Sequence, residues 1–250
     1  MLRFCFLLIA LAVPILGASL EGRVVGGEDA DLGDVASIVS LRTSRGSHSC
    51  GGVLISKDYV LTAAHCAVSI PASIQFGVVT IDPKAKDGSV INISSKIIHE
   101  KYVTATSGND IALLKLAEPA VFGKYAQPAV LPDQDEPAPA GSNVLLAGWG
   151  YNETGGILPK RLQKVNITIV DINECKKIHS YTVHDSNVCA GVPGGWKGQC
   201  NGDSGGPLTL NGKIVGLVSW SMKPCTTPPF PGVFTRVASF RDWIRKNAGV

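Results

Sequence analysis

Short apolar runs, each stopped after a few residues by glycine, proline or an Asn/Asp turn, recur along almost the whole chain. Runs at 35–42, 51–56, 59–63, 73–81, 90–98 and 111–116 read as strands, and so do later ones at 144–149, 162–170, 207–210, 213–220 and 232–236. Long helices do not alternate with them, which argues against a parallel α/β sheet and for an all-β fold in two halves. Twenty-eight glycines and 15 prolines in 250 residues supply the turns. From Glu118 through Pro119, Pro128, Pro132, Pro137 and Pro139 the chain has no hydrophobic period and reads as the connector. The halves then span about 24–130 and 140–236. Asp171 can cap a short helix through Lys177. The clearest helix comes last, at about 237–247, with Val237, Phe240 and Ile244 at helical spacing and Ser239 and Asp242 as a capping-box-like start.

The first residues read as an export signal. Arg3 precedes an apolar run at 4–13, and Leu16-Gly17-Ala18 offers small residues for cleavage, so residues 1–18 are expected to be removed. That run is short for a membrane span and is broken by Pro14; no later stretch reaches about 18 apolar residues. A secreted, extracellular protein with no membrane contact in its mature form is expected. Cys5 leaves with the signal, so Cys50, Cys66, Cys175, Cys189, Cys200 and Cys225 remain. In an oxidising compartment this even number implies three disulfides, with the pairing left open. The spacings lack the close pairs of a zinc site, and no metal is expected. Charged residues are 17% of the chain and the net charge is +3, which gives no support for nucleic-acid binding. Sequons start at Asn92, Asn152 and Asn166; the second lies in a glycine-rich loop and is expected to be the best glycan acceptor.

The stretch Cys200-Asn201-Gly202-Asp203-Ser204-Gly205-Gly206-Pro207 fits either a tight turn or a nucleophile loop. Ser204 also satisfies Gly-x-Ser-x-Gly, the elbow of α/β-hydrolases, but that fold places its histidine after the serine. All five histidines, His48, His65, His99, His179 and His184, precede Ser204, so that reading fails. The order that remains is His65, Asp110, Ser204.

Thr62-Ala63-Ala64-His65-Cys66, Asn109-Asp110-Ile111-Ala112-Leu113-Leu114, Gly202-Asp203-Ser204-Gly205-Gly206-Pro207 and Ser219-Trp220 resemble, in this order, the motifs of the trypsin/chymotrypsin serine proteases. Arg23-Val24-Val25-Gly26-Gly27 resembles that family's activation site, and the likeness extends from there to the terminal helix. The resemblance implies two packed six-stranded antiparallel β-barrels, with Ser204 as nucleophile, His65 as general base and Asp110 orienting the imidazole. It places the oxyanion hole at the N–H groups of Gly202 and Ser204. It pairs Cys50 with Cys66, Cys175 with Cys189 and Cys200 with Cys225. It also makes 19–23 an activation peptide, 24–250 the protease domain, and Asp203 the partner of the α-amine that a cut at Arg23–Val24 would free at Val24.

For substrate binding the resemblance points to Gly198 at the pocket base, to Ser221 and Gly232 as wall positions, and to Ser219 and Trp220 as further substrate-binding residues. Trypsin-like members carry an aspartate at that base. With Gly198 there, the pocket is expected to be open and uncharged and to accept large apolar or aromatic residues, as in chymotrypsin. Ser221, where glycine is usual, narrows the mouth and keeps an elastase-like preference for medium aliphatic residues as the alternative. A non-catalytic homologue that only binds partners is the other alternative, against which stands the intact triad. The expected partners are polypeptide substrates, a trypsin-like activating protease and protein inhibitors of proteases, with the enzyme itself a monomer. No cofactor is expected, nor calcium, since the region about 77–89 holds only Asp82 and Asp87 and no glutamate.

Overall fold

The computed structural model of the chain describes residues 24–69, 71–84, 89–180 and 182–250. The expected signal, the activation peptide with Arg23, and Asp87 lie outside the described residues. The first half holds β1 (Glu28–Asp29), β2 (Ile38–Arg42), β3 (His48–Leu54), β4 (Tyr59–Thr62), α1 (Ala64–Val68), β5 (Ser73–Phe76), β6 (Val90–Ile98) and β7 (Ala112–Leu116). The second holds β8 (Asn143–Gly148), β9 (Gln163–Val170), α2 (Ile172–Ile178), β10 (Asn187–Gly191), β11 (Pro207–Leu210), β12 (Lys213–Trp220), β13 (Gly232–Arg236) and α3 (Arg241–Ala248).

Strands β2 to β7 close into an antiparallel barrel in the order β2-β3-β4-β7-β6-β5, the ring being sealed where Val39 of β2 faces Phe76 of β5. The later strands form a second ring, β8-β9-β10-β13-β12-β11, which returns to β8 because β8 pairs with both β9 and β11. Strand β1 adds to β9, with Glu28 opposite Lys164. The fold is therefore the expected all-β pair of six-stranded barrels followed by a terminal helix. Closure leaves few free strand edges, which suits strands as apolar as these.

Side-chain alternation explains why several strands are apolar on both faces. In β7, Ala112, Leu114 and Leu116 fill the first barrel, while Leu113 points the other way, into a layer with Ile214 and Leu217 of β12 and Ile244 of α3. In β4, Val60 and Leu61 divide the same way. The outward faces of the first barrel are thus the interface with the second. By contrast β9 alternates cleanly: Val165, Ile167 and Ile169 enter the second core while Asn166 is exposed.

Some local expectations shift. The run at 35–42 starts its strand only at Ile38, because Ile38 N–H closes a turn onto Val35 O. The run at 73–81 ends at Phe76, where Gly77 takes a positive φ of 68°. The Asp171 cap forms as expected, its carboxylate accepting from the N–H groups of Asn173 and Glu174. The capping box of the terminal helix does not. Residues Val237–Phe240 make a 3₁₀ turn, Ser239 Oγ accepts from Arg236, and Asp242 pairs with Arg245 one turn on. The proline-rich connector is no free linker either: Ala129 N–H bonds Leu54 O of the first barrel, and Glu136 meets Lys213 of the second at 2.8 Å.

Candidate active site

Three pieces of backbone meet at the seam between the barrels. The strand β4 ends at Thr62, and α1 begins immediately, presenting His65 from its first turn; Cys66 behind it is bonded to Cys50 of β3. Asp110 enters just before β7, after Gly108 and Asn109, both at positive φ. Glycine tolerates that region freely and asparagine better than most residues. Ser204 sits in the loop leading to β11, which the Cys200–Cys225 disulfide anchors; Cys175–Cys189 ties α2 to β10.

Asp110 is wholly buried, yet its carboxylate is fully engaged. Oδ1 accepts from His65 N–H at 3.0 Å, and Oδ2 accepts from His65 Nδ1 at 2.8 Å and from Ser219 Oγ at 2.6 Å. A carboxylate can only accept, so Nδ1 carries the proton and Nε2 keeps its lone pair. That is the tautomer a general base needs. Ser219, expected among the substrate-binding residues, gives its hydroxyl to Asp110. Ser204 Oγ and His65 Nε2 are not hydrogen-bonded in this structure; such contacts commonly tighten when substrate binds. Their segments are nonetheless joined, since Gly51 N–H bonds Ser204 O at 2.7 Å and Thr62 Oγ1 bonds Gly51 O at 2.8 Å. A Cβ on Gly205 would come within 2.1 Å of Thr62 Oγ1, so only glycine lets the serine loop approach this closely.

The nucleophile loop is pinned carbonyl by carbonyl. Asn201 O accepts from Tyr151 N–H, Gly202 O from His48 Nε2, Asp203 O from Gly206 N–H and Ser204 O from Gly51 N–H. The N–H groups of Asp203 and Gly205 are spent on Cys200 O and Val218 O. Among the described residues the N–H groups of Gly202 and Ser204 have no acceptor. Two fixed, unspent donors beside a serine are what an oxyanion requires.

His48 is a part of this arrangement that the sequence did not single out. A carbonyl can only accept, so Nε2–H donates to Gly202 O at 2.9 Å and Nδ1 accepts from Ser40 Oγ at 2.7 Å. Burial holds its pKa down to about 4, so the imidazole is neutral at physiological pH. Asp203 is also wholly buried. Its oxygens accept from Gly150 N–H at 2.8 Å and Cys200 N–H at 2.9 Å, but burial outweighs those bonds and lifts its pKa to about 7. Gly148 and Gly150 make the space: a Cβ on either would come within 2.0 and 2.3 Å of the carboxyl group. Val24 is buried too, in the core of the second barrel.

These two groups act on stability with opposite signs. The depressed His48 pKa contributes stability that is present above about 6.5 and lost as pH falls through 4. The raised Asp203 pKa contributes stability that is present below 3.8 and lost as pH rises through 7. Between pH 4 and 6.5 they offset each other, because folded and unfolded chains bind the same number of protons at the pair. Asp203→Asn removes one side. The variant is expected to lose stability more steeply than wild type as pH falls from 6.5 to 4, read from urea midpoints across that range.

A cavity of about 370 Å³ lies behind the seam, lined by Gly198, Ser221 and Gly232, by Gln199 and Lys197, and by the apolar segment from Pro228 to Pro231. Among the described residues no carboxylate lines it. Trp220 packs edge-on against His179, whose Nε2 donates to Pro231 O, so this buried histidine ties the two walls together. The pocket is less open than Gly198 and Gly232 alone imply, because the Gln199 side chain lies against Gly232. Of the sequons, Asn92 and Asn166 are exposed, whereas Asn152 is half-buried with a buried Oδ1. The loop expected to be the best acceptor therefore presents its asparagine least. Asp82 uses its carboxylate to accept from Lys84 N–H, and among the described residues no helix is long and apolar enough to cross a membrane.

Comparison with known proteins agrees with this geometry. The family model described as Trypsin matches residues 24–244. A trypsin of Phaedon cochleariae is 36% identical with both chains covered over their full length. Trypsin II-P29 of Gallus gallus is 37% identical over 98% of each chain, and a vitellin-degrading protease of Bombyx mori 35% identical over 98% of this chain and 94% of its own. The chain belongs to the trypsin family of serine proteases. It is a serine endopeptidase, and its substrates are polypeptides.

Proposed function

We propose that this endopeptidase is secreted as an inactive precursor, is switched on by cleavage at Arg23–Val24, and cuts polypeptides after large uncharged residues. The observation that supports the specificity is the pocket lining: Gly198 is part of it, and among the described residues it holds no carboxylate and one charged residue, Lys197. A cationic substrate side chain finds no counter-ion there and would lose its hydration without return. An apolar or aromatic one recovers the hydrophobic free energy of burial, about 25 cal/mol per Å².

In the reaction, Ser204 Oγ attacks the scissile carbonyl carbon while His65 Nε2 takes its proton. The oxyanion settles on the N–H groups of Gly202 and Ser204. Asp110 stabilises the imidazolium, which then protonates the leaving amine, and water releases the acyl group by the reverse sequence. Cleavage before Val24 supplies a new α-ammonium, and the wholly buried, cation-poor Asp203 is the group that such a charge would satisfy. The test is to activate the precursor with trypsin and profile peptides varied at the residue before the scissile bond. Phe, Tyr, Leu and Met are expected to exceed Arg and Lys by at least about a hundredfold in kcat/KM, a pocket-contact effect of about 3 kcal/mol. Faster cleavage after Arg or Lys overturns the uncharged pocket, and a preference for Ala or Val moves the reading to an elastase-like one.

A further inference from the structure

The cavity lining contains a polar group that the catalytic geometry leaves unexplained. Gln199 is only 3% exposed. Its Nε2 donates to Trp220 O at 2.6 Å, which fixes the amide orientation, since the carbonyl oxygen of Trp220 can face only the nitrogen end. The same amide lies against the opposite wall, where a Cβ on Gly232 would meet Gln199 Cδ at 3.0 Å. The side chain thus reaches from the loop leading to Ser204 toward both Trp220 and Gly232. Its Oε1 is buried and has no hydrogen-bond partner among the described residues. Buried acceptors are rarely left that way, because the omission costs about 1–3 kcal/mol. A ligand that brings a donor removes the cost; one that brings only carbon does not.

We propose that Gln199 is a specificity-determining residue, its Oε1 selecting uncharged substrate side chains that carry a hydrogen-bond donor at their far end: Tyr over Phe, and Gln over Met. The assignment rests on the uncharged-pocket reading and narrows it. Each pair is matched in size and differs in the donor, so apolar burial alone does not separate the members. The amide also occupies room beside Gly232, in the lining of the same cavity. Lysine and arginine carry donors as well, but the pocket offers no carboxylate to hold their charge and Lys197 opposes it.

The experiment uses the trypsin-activated enzyme, titrated for active sites with a serine-directed reagent, and peptide pairs identical except for Tyr/Phe or Gln/Met before the scissile bond. The expected kcat/KM ratio is about tenfold in favour of Tyr and of Gln, the equivalent of one hydrogen bond to a buried acceptor. Gln199→Met, close in shape but without the acceptor, is expected to bring both ratios near one. Ratios within twofold in the wild-type enzyme overturn the assignment, as does a tenfold ratio that survives Gln199→Met. If the methionine variant does not fold, the wild-type ratios decide. An enzyme that takes up the reagent and cleaves both members of a pair equally refutes the role of Gln199 alone. Failure of the activated protein to take up the reagent refutes the proposed activation and chemistry.

Discussion

Replacing Ser204 with alanine is expected to lower kcat of the activated enzyme by roughly 10⁶-fold, the loss found when a triad nucleophile is removed. Peptide binding should change little, since Ser204 fixes the loop through its backbone: the carbonyl receives Gly51 N–H at 2.7 Å and the N–H remains available to an oxyanion. The expected signature is therefore a fall in kcat with KM within a few fold, measured by steady-state kinetics at pH 8. The residual rate should still exceed the uncatalysed one, because the two oxyanion donors survive. Combining Ser204→Ala with His65→Ala should cost hardly more than either alone, for the serine and the base act as one unit.

The second large effect concerns Asp203. Its carboxyl is sealed against Gly148 and Gly150, and with a pKa of about 7 its ionised form is unfavourable until a cation arrives. In the uncleaved chain at pH 8, Asp203→Asn relieves a burden worth up to about 4 kcal/mol, the equivalent of a carboxyl held near 7 instead of 3.8. Part of the gain is lost because the asparagine amide cannot accept from both Gly150 and Cys200, which costs about 1–3 kcal/mol. A net rise in stability of about 1–3 kcal/mol, read from urea midpoints, is expected. After cleavage the same variant should lose at least about a hundredfold in kcat/KM, because nothing holds the new terminus. In the cleaved wild-type enzyme, pairing with the carboxylate is expected to raise the pKa of the new α-amine above its free value of about 8. Activity is then present below that raised value and falls as pH rises through it, to be read from a kcat/KM profile extended to alkaline pH.

The strand plan and the residues of the candidate site were legible because each depends on local signals. Period-two apolar runs between turn residues marked most strands of both barrels, and intact motifs around His65, Asp110 and Ser204 announced the site. What escaped depends on three-dimensional context. Strand β10, Asn187–Gly191, is buried along its whole length and shows no alternation to read. Ser219 was expected among the substrate-binding residues; that its hydroxyl, on β12, reaches Asp110 just before β7 depends on the fold. His48 lay outside the strand runs read from the sequence; only folding sets it between Ser40 and Gly202 O, 154 residues away. Gln199 was passed over for a related reason, since the glycines at 198 and 232 suggested empty space and a side chain from between them fills part of it. The terminal capping box failed because Phe240 and a 3₁₀ turn set the entry to α3, leaving Ser239 to Arg236.

The measurement closest to the central claim is covalent labelling by an organophosphorus reagent before and after cleavage at Arg23–Val24, with the adduct located by peptide mass mapping. A cleavage-dependent serine protease gives a single adduct on Ser204 in the cleaved protein. It gives little or none in the precursor or in Arg23→Gln treated with the same activating protease, and none in Ser204→Ala. Equal labelling of the uncleaved Arg23→Gln protein, or an adduct on any serine other than Ser204, would contradict it.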